Sequence, residues 1–360
     1  MQPSTIAYYV TAHGYGHGVR TSDIVKGLFR AAPETRVHLV TDLDPAFLRN
    51  RLPKENITIR PGAFDLGMVQ LDSIRVDVPE TLKRICRLYE REAELIENER
   101  RFFDEAQVDT VVVDIPAIPL SAAHTHGIRS LAVANFTWAW IYEEFAHENP
   151  AWQDIIDRME AAYATAGLLL RTPFAEPLAV FPRHAEVPLL AEPGTANRAG
   201  LHAVSGAPLD RKWILLSFTT LDWDPEAIAS VAALEDYAFF TIKPLGWDAP
   251  NIFPVDRDAF PVADLFATVD AVLTKPGFGA LSECVANGTP MIYVEREHFK
   301  EYPILEEAVQ RFLVHQHLPA ADLYKGRIKE ALDATWSAPP PRERLAGGGI
   351  AECARHILDT

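Results

Sequence analysis

Two histidines in a glycine-rich segment near the N-terminus are the residues best suited to acid–base chemistry. The segment Thr11 to Arg20 reads TAHGYGHGVR and contains His13 and His17. An imidazole gains and loses its proton near neutral pH, and the glycines let the backbone turn tightly and approach a ligand. The segment does not fit the pattern GxGxxG. The alternative interpretation is a glycine turn whose histidines only cap the next helix.

A carboxylate, Asp114, follows an apolar run farther along the chain, in VVVDIPAIP. An acidic residue at the end of a predicted strand either caps the following helix or serves as a functional carboxylate. The residue itself leaves both interpretations open. The functional interpretation is favoured if other candidate residues follow strands of the same sheet.

The third candidate region runs from Leu273 to Leu305 and reads LTKPGFGALSECVANGTPMIYVEREHFKEYPIL. Gly277 and Gly279 predict a tight turn into a helix that begins near Ala280. The free amides and the positive dipole end of such a helix suit a diphosphate. Glu283, one turn inside the helix, could reach a ribose diol.

The polar end of this region, EREHFKEYP, follows a further predicted strand. It brings Arg296, Lys300 and Glu301 to the same edge of the predicted sheet. The alternative is that these are solvated charges on a surface loop.

Predicted strands alternate with predicted helices along the chain, which favours parallel sheets with helices on both faces. The expected strands are Ile6 to Val10, Val37 to Val40, Thr110 to Val113, Ser130 to Ala134, Trp213 to Ser217, Phe239 to Ile242, Ala271 to Thr274 and Met291 to Val294. The expected helices include Ser22 to Ala31, one long charged helix over Glu80 to Glu105, Ser121 to His126 and a short one ending near Leu358. In such sheets ligands bind beyond the carboxyl ends of the strands, where all three candidate regions lie.

The length of 360 residues predicts two domains of ordinary size. The stretch Glu192 to Pro208, EPGTANRAGLHAVSGAP, is poor in large apolar residues, as a linker would be. We therefore predict a first Rossmann-like domain at 1–191, a linker at 192–208, a second Rossmann-like domain at 209–335, and a tail at 336–360 whose helix packs back towards the first domain.

The net charge and the cysteine content indicate which binding partners and which cellular compartment to expect. With 34 Lys and Arg against 50 Asp and Glu, the net charge of −16 would repel nucleic acid and anionic membranes. Cys86, Cys284 and Cys353 form no CxxC pair, so neither a disulfide framework nor a zinc site is expected. No basic leader and no apolar stretch of membrane-spanning length is evident. We expect a cytoplasmic protein, and its oligomeric state stays open.

Five motifs in order resemble those of the GT-B domain that precedes the kinase domain in plant L-arabinokinases, and more distantly those of UDP-sugar glycosyltransferases such as the peptidoglycan N-acetylglucosaminyl enzymes. The motifs are VTAHGYGH, FDLGMVQLDS, VDTVVVDIPAIPLSAAHTHGIRSLAVANFTWAWIYEEF, the Leu273 to Leu305 region and GGGIAECARHIL. The resemblance implies an α/β chain of GT-B architecture, with two Rossmann-like domains facing across a cleft that holds a nucleotide sugar. No kinase-type phosphate loop is present, so kinase activity is not implied.

The resemblance also implies roles for individual residues. The position of His17 is that of the general base in the distant transferases, with His13 as the competing base, and Asp114 would orient it. Glu283 would hold the nucleotide ribose. Lys300 and Glu301 stand where those transferases often carry a Gln or an Asp-Gln pair, which leaves the donor sugar open.

The complete candidate sets follow from the motifs and the resemblance together. The donor-binding candidates are Ser217, Thr219, Lys275, Gly277, Phe278, Gly279, Glu283, Arg296, Lys300 and Glu301. The acceptor-binding candidates are Asp65, Gln70, Asp72, Asn135 and Trp138.

The expected activity is transfer of a sugar from a nucleoside diphosphate sugar, UDP-sugar by the resemblance, to a small acceptor with inversion. No Asp-x-Asp follows a strand as in metal-dependent transferases, so neither a metal nor another cofactor is expected. Two alternatives remain open. One is a non-catalytic sugar-nucleotide sensor, and the other is a nucleotide-sugar 2-epimerase of the same architecture.

Overall fold

The computed structural model describes residues 4–53, 55–71, 75–296 and 299–359. The described residues form two compact α/β units. The first contains residues 4–69, 77–190 and 348–359, and the second contains the others. No helix in these ranges is both long enough and apolar enough to cross a membrane.

The first unit is built on a seven-stranded sheet with the strand order β3-β2-β1-β4-β5-β6-β7, and every neighbouring pair is parallel. The strands are β1 Thr5–Val10, β2 Arg36–Val40, β3 Ile57–Arg60, β4 Thr110–Asp114, β5 Arg129–Ala134, β6 Leu168–Arg171 and β7 His184–Glu186. Every residue of β1 and β4 is buried, as expected for central strands that helices cover on both faces.

The helices of the first unit cover this sheet. They are α1 Tyr15–Ala31, α2 Pro45–Arg51, α3 Val78–Glu90, α4 Glu92–Ala106, α5 Ile118–His126, α6 Trp138–Tyr142 with a 3₁₀ turn at Glu143–Phe145, α7 Pro150–Tyr163, and the tail helix, α15, Gly349–Leu358. The tail helix packs on α1, where a Cβ added to Gly27 would lie 2.7 Å from Ile350 Cγ2. The absence of a side chain at Gly27 permits this close approach.

The second unit has a six-stranded sheet in the order β10-β9-β8-β11-β12-β13, again with parallel neighbours only. Its strands are β8 Lys212–Leu216, β9 Tyr237–Thr241, β10 Ile252–Pro254, β11 Ala271–Thr274, β12 Met291–Tyr293 and β13 His315–His317. Its helices are α8 Arg198–Ser205, α9 Pro225–Ala232, α10 Val262–Thr268, α11 Phe278–Asn287, α12 Tyr302–Phe312, α13 Ala320–Tyr324 and α14 Lys329–Thr335.

Each sheet reverses its strand order at one place, between β1 and β4 in the first unit and between β8 and β11 in the second. Loops leave the two strands of such a pair in opposite directions, which opens a crevice at their carboxyl ends. In the first unit Val10 is the register partner of Asp114, so the segments carrying the histidines and the carboxylate start side by side.

The glycine-rich segment is mostly helical, which corrects the expectation of a loop from Thr11 to Arg20. The helix α1 begins at Tyr15, with Gly14 as its N-cap at φ 83°, a left-handed conformation that favours glycine. Gly18 lies inside α1, where a side chain would not fit. A Cβ at this position would lie 2.7 Å from Leu43 Cδ1 and 2.8 Å from Phe47 Cε1. Close helix packing, and not loop flexibility, accounts for this glycine.

Other elements also differ from the expectation. The single helix over Glu80 to Glu105 is divided at Arg91 into α3 and α4. The sequence did not indicate β3, β6, β7, β10 or β13, each of three or four residues. Part of the 192–208 stretch forms α8, whose first turn is capped by Asn197 and which belongs to the second unit.

Candidate functional site

His17 and Asp114 are in contact, although 97 positions separate them in sequence. The Nδ1 atom of His17 lies 2.8 Å from Oδ1 of Asp114. His17 lies in the first turn of α1, and Asp114 is the last residue of β4. Both side chains are buried, Asp114 completely. The sheet order therefore brings together the two residues that the sequence proposed as base and orienting carboxylate.

The charge state of Asp114 determines how the imidazole is protonated. Burial raises the pKa of Asp114, but the charges of Arg20 and then His17 lower it more. The pKa of this carboxyl therefore stays well below its usual range, and the group is ionised. A carboxylate only accepts hydrogen bonds, so the proton of neutral His17 belongs on Nδ1. The Nε2 atom then keeps its lone pair, which is the arrangement of a general base.

The pKa of His17 is lowered, which keeps the imidazole neutral to lower pH. Burial is the largest cause, the charge of Arg20 is the next, and Asp114 acts in the opposite direction. The ring also contacts Phe136 edge to face, with centroids 5.9 Å apart. A neutral, buried imidazole with one nitrogen fixed by a carboxylate can remove a proton from a hydroxyl.

Arg20 is a site residue that the sequence analysis missed. Its Nε donates to Asp114 Oδ2 at 2.6 Å, its Nη2 contacts Asp114 Oδ1, and its Nη1 donates to Asn135 Oδ1 at 3.0 Å. Thr21 adds a fourth contact to the carboxylate, 3.0 Å from Oδ2. The available signal was the spacing, because a residue three positions after His17 lies on the same face of a helix.

Asp114 does not cap the following helix, so the capping interpretation is wrong. The helix α5 begins at Ile118 with Ala117 at its N-cap and no side-chain cap. The residue after Asp114, Ile115, has φ 148°, a strained value for a β-branched side chain. Its carbonyl accepts a 2.8 Å hydrogen bond from the buried Tyr163 hydroxyl, which holds the strained peptide beside the carboxylate.

His13 has different neighbours from His17. Its ring lies edge to face against Trp138 with centroids 5.0 Å apart. A Cβ on Gly67 would lie 2.4 Å from His13 Nδ1, and Gly67 has φ 69°. The imidazole of His13 is therefore held between an indole and the FDLGMVQLDS segment, whereas His17 has the contact with the carboxylate.

Three acceptor candidates lie near this network in the first unit. The Trp138 Nε1 donates to Asp65 Oδ2 at 2.9 Å, and Asn135 accepts from Arg20. Burial raises the pKa of Asp65 to about 7; hydrogen bonds from Thr11 and Trp138 oppose the shift, and the charge of Asp114 adds to it. Asp65 thus changes its charge near neutral pH.

The other two acceptor candidates are not placed with them. Gln70 is exposed, forms an isolated antiparallel bridge with Val76, and is grouped with the second unit, whereas the sequence had assigned its motif to the first domain. Asp72 lies outside the described residues.

In the second unit, the glycine turn leads directly into α11. The helix begins at Phe278, two residues before the predicted start, with Gly277 at its N-cap and no side-chain cap. The turn follows β11 at the place where the strand order reverses. Thr274 Oγ1 donates to the carbonyl of Ser217 at 2.8 Å, which joins the ends of β11 and β8. The first-turn amides of α11 are therefore presented at the edge of the sheet.

Charged side chains surround this helix start. Burial and the charge of Arg296 lower the pKa of Lys275 to about 7, against the opposing effect of Glu301. Arg296 Nη1 is 3.7 Å from Glu301 Oε1, and its guanidinium stacks on the ring of Phe299. Arg296 and Glu301 are buried, so the expectation of solvated surface charges does not describe them.

The remaining donor candidates lie after β8, in the first turns of α11, or before α12. Glu283 and Phe278 are partly buried, Gly279 and Thr219 are exposed, and Lys300 is partly buried just before α12. The Glu283 carbonyl accepts from Asn287 Nδ2 at 2.8 Å. Among the described residues, no group of three or more His, Cys, Asp and Glu side chains is arranged to hold a metal ion.

Comparison with known proteins gives a sequence relative and a fold. The chain is 28% identical to L-arabinokinase of Arabidopsis thaliana over 98% of its own length and 34% of that protein. It therefore spans about a third of the curated relative it matches. No protein-family model matches the chain.

Solved glycosyltransferase structures match nearly the whole chain. A UDP-glucosyltransferase of Polygonum tinctorium that glucosylates indoxyl matches with a TM-score of 0.63 and 15% identity, covering 99% of this chain and 98% of that one. The calicheamicin glycosyltransferase CalG4 matches with a TM-score of 0.61 and 17% identity, covering 99% and 94%. The fold is the GT-B fold, and the resemblance that the motifs indicated is confirmed.

Proposed function

We propose that this protein is a glycosyltransferase that moves a sugar from a nucleoside diphosphate sugar to a hydroxyl group of a small acceptor. The observation that carries the proposal is the contact between His17 and Asp114 at the crevice between β1 and β4. It leaves the Nε2 lone pair of a neutral imidazole for the acceptor proton. The GT-B fold supports the same reaction class.

In the proposed reaction His17 Nε2 removes the proton from the acceptor hydroxyl. The acceptor oxygen forms a bond to the anomeric carbon of the sugar as the bond from that carbon to the diphosphate oxygen breaks. The diphosphate leaves with the electron pair, and the proton remains on His17. Attack from the face opposite to the leaving group gives inversion.

The second unit is the proposed donor-binding unit. The uncapped first turn of α11 provides amides and a positive dipole end for the diphosphate, and Lys275 and Arg296 add positive charge beside it. These groups can stabilise the leaving diphosphate without a metal or another cofactor. Glu283 is assigned to the ribose. Uridine is the proposed base because the solved neighbours include the UDP-glucosyltransferase of Polygonum tinctorium and the Arabidopsis thaliana protein UGT89C1 in complex with UDP-L-rhamnose.

The first unit is the proposed acceptor-binding unit, with Asp65, Asn135 and Trp138 near the base. An indole N–H already occupies one oxygen of Asp65. The carboxyl also receives a hydrogen bond from Thr11, so its orientation is fixed, and the remaining lone pairs of a carboxylate are suited to a hydroxyl donor. An acceptor with more than one hydroxyl fits this chemistry best.

The test is incubation of the purified chain with a panel of UDP-sugars and polyhydroxylated acceptors, with release of nucleoside diphosphate measured. Transfer requires that release depends on the acceptor and that a glycosylated product appears by mass spectrometry. Conversion of one nucleotide sugar into another without an acceptor would identify an epimerase. Binding without turnover would identify a sensor, which the partial match to the longer L-arabinokinase favours as the second candidate.

A further inference from the structure

Arg20 is a charged residue beside the proposed base, and the proposed reaction leaves its role open. Its side chain is only 12% exposed, and its guanidinium contacts both oxygens of Asp114 and the side chain of Asn135. The Nη2 atom lies 3.0 Å from His17 Nδ1. Because Nδ1 carries the proton that faces Asp114, this contact places positive charge beside the imidazole and is not a hydrogen bond to it.

We propose that Arg20 is a positioning residue that fixes Asp114 and keeps His17 neutral, so that the base remains active at and below neutral pH. The inference rests on the proposed function, because it assigns a pH range to the same base. In this role Arg20 acts through the charges and orientation of His17 and Asp114, and it does not contact the substrate.

The geometry requires an arginine and not any cation. The planar fork pairs with both oxygens of Asp114 and still reaches Asn135, which follows β5. A lysine ammonium could not make this set of contacts from one position. The carboxylate therefore has one orientation, with Oδ1 towards His17 Nδ1 and Oδ2 towards Thr21.

The charge balance has a definite direction. The charges that act on His17 are Arg20 on its own helix and Asp114 on β4. Tyr8 of β1, Cys353 of the tail helix and Asp65 are electrostatically coupled to Asp114 or Arg20. With Arg20 removed, the negative charge of Asp114 would act on His17 uncompensated and would stabilise the imidazolium.

The decisive experiment is the NMR titration of His17 in the parent and in Arg20→Gln, combined with the pH profile of turnover. We expect the titration midpoint and the acid limb of the turnover profile to move to higher pH together. Turnover should fall at every pH because the fork to Asp114 is lost, and near pH 6.5 it should fall by about tenfold more than at high pH. The KM for the nucleotide sugar should not change.

The matched control is Arg60→Gln, because Arg60 also pairs with both oxygens of a buried carboxylate, Glu99, in the same unit. It should lower stability without moving the titration of His17. A midpoint in Arg20→Gln that stays in place or falls overturns the proposal. The titration needs no substrate, so a parent chain without transfer activity would refute the proposed function and still leave the role of Arg20 decided.

Arg20→Lys decides the case if Arg20→Gln does not fold. It keeps the charge but not the fork, so the midpoint should stay near that of the parent while turnover falls at every pH. Unchanged turnover, or a midpoint that rises, would overturn the proposal. A similar loss of turnover at high pH in Arg20→Gln and Arg20→Lys, with an additional loss below neutral pH in Arg20→Gln alone, would support both parts of it.

Discussion

The two units carry their candidate residues at equivalent sheet edges but arrange the charges differently. In the first unit one carboxylate, Asp114, receives His17, Arg20 and Thr21, and each of these contacts is at hydrogen-bond distance. In the second unit the cations Lys275 and Arg296 stand near the carboxylate of Glu301, and Arg296 Nη1 lies 3.7 Å from Glu301 Oε1.

This difference separates two chemical tasks. A proton-transfer site needs a base with fixed orientation and protonation, and a closed hydrogen-bond network provides both. A site for an anion needs positive charge that the protein does not fully neutralise. Lys275 and Arg296, beside the uncapped N-terminus of α11, are suited to supply that charge. Substitutions in the first unit should therefore change rate, and substitutions in the second should change affinity.

The largest expected effect is that of His17→Ala, which removes the proposed base. Turnover should fall by about 10² to 10⁴, while calorimetry should give nearly the parent affinity for the nucleotide sugar. Asp114→Asn should show a milder loss of the same kind. His13→Ala is the matched control, since its ring contacts Trp138 and not Asp114. Normal turnover in His17→Ala with an inactive His13→Ala would move the base to His13.

Glu283→Ala tests the other half of the comparison. If Glu283 holds the ribose, affinity for uridine diphosphate should fall by about tenfold, as expected when a hydrogen bond to a charged group is lost. The structural control is Glu307→Ala, since Glu307 is an exposed glutamate on α12 that pairs with Arg311. Parent-like affinity in Glu283→Ala would remove the ribose assignment.

The lowered pKa of Lys275 predicts that the affinity for the donor depends on pH. Its pKa of about 7 means that the ammonium loses its proton as the pH rises through neutrality. A protonated lysine attracts a diphosphate, so affinity should fall by about threefold to tenfold between pH 6 and pH 8. The probe should be a UDP-sugar, because its diphosphate keeps a constant charge over this range. Lys275→Met should bind more weakly and without this dependence; a flat parent profile would contradict the role.

The smallest effect is expected for Tyr163→Phe, which leaves the carbonyl of the strained Ile115 without its hydroxyl donor. The cost in unfolding free energy should be about 1–3 kcal/mol, measured by denaturant titration. Turnover should fall by less than tenfold, since Asp114 keeps its side-chain partners. Tyr142→Phe is the matched control, because its hydroxyl donates to the Gly67 carbonyl, away from Asp114. Equal turnover in the two variants would show that the strained peptide does not affect the site.

The sequence by itself determined the two-sheet α/β architecture and the residues at the central strand ends. The central strands are continuous apolar runs, and they are buried on both faces in the structure, so their pattern is strong. Parallel order then requires that segments following β1 and β4 share one edge. That requirement, together with the family resemblance, led to the expectation of His17 near Asp114. The short strands lacked such runs and were not predicted.

Only the tertiary structure decided how the dyad is charged and held. The bond from Arg20 to Asn135 joins positions 115 apart, and nothing local to either residue indicates it. The carbonyl of the strained Ile115 likewise accepts a hydrogen bond from Tyr163, which lies 48 positions away. The helix α1 begins at Tyr15 and includes Gly18, although glycine has a low helix propensity. Gly18 packs against Leu43, just before α2, and against Phe47 of α2. Periodicity and composition report local preference, whereas these features arise from contacts that exist only after the sheet has formed.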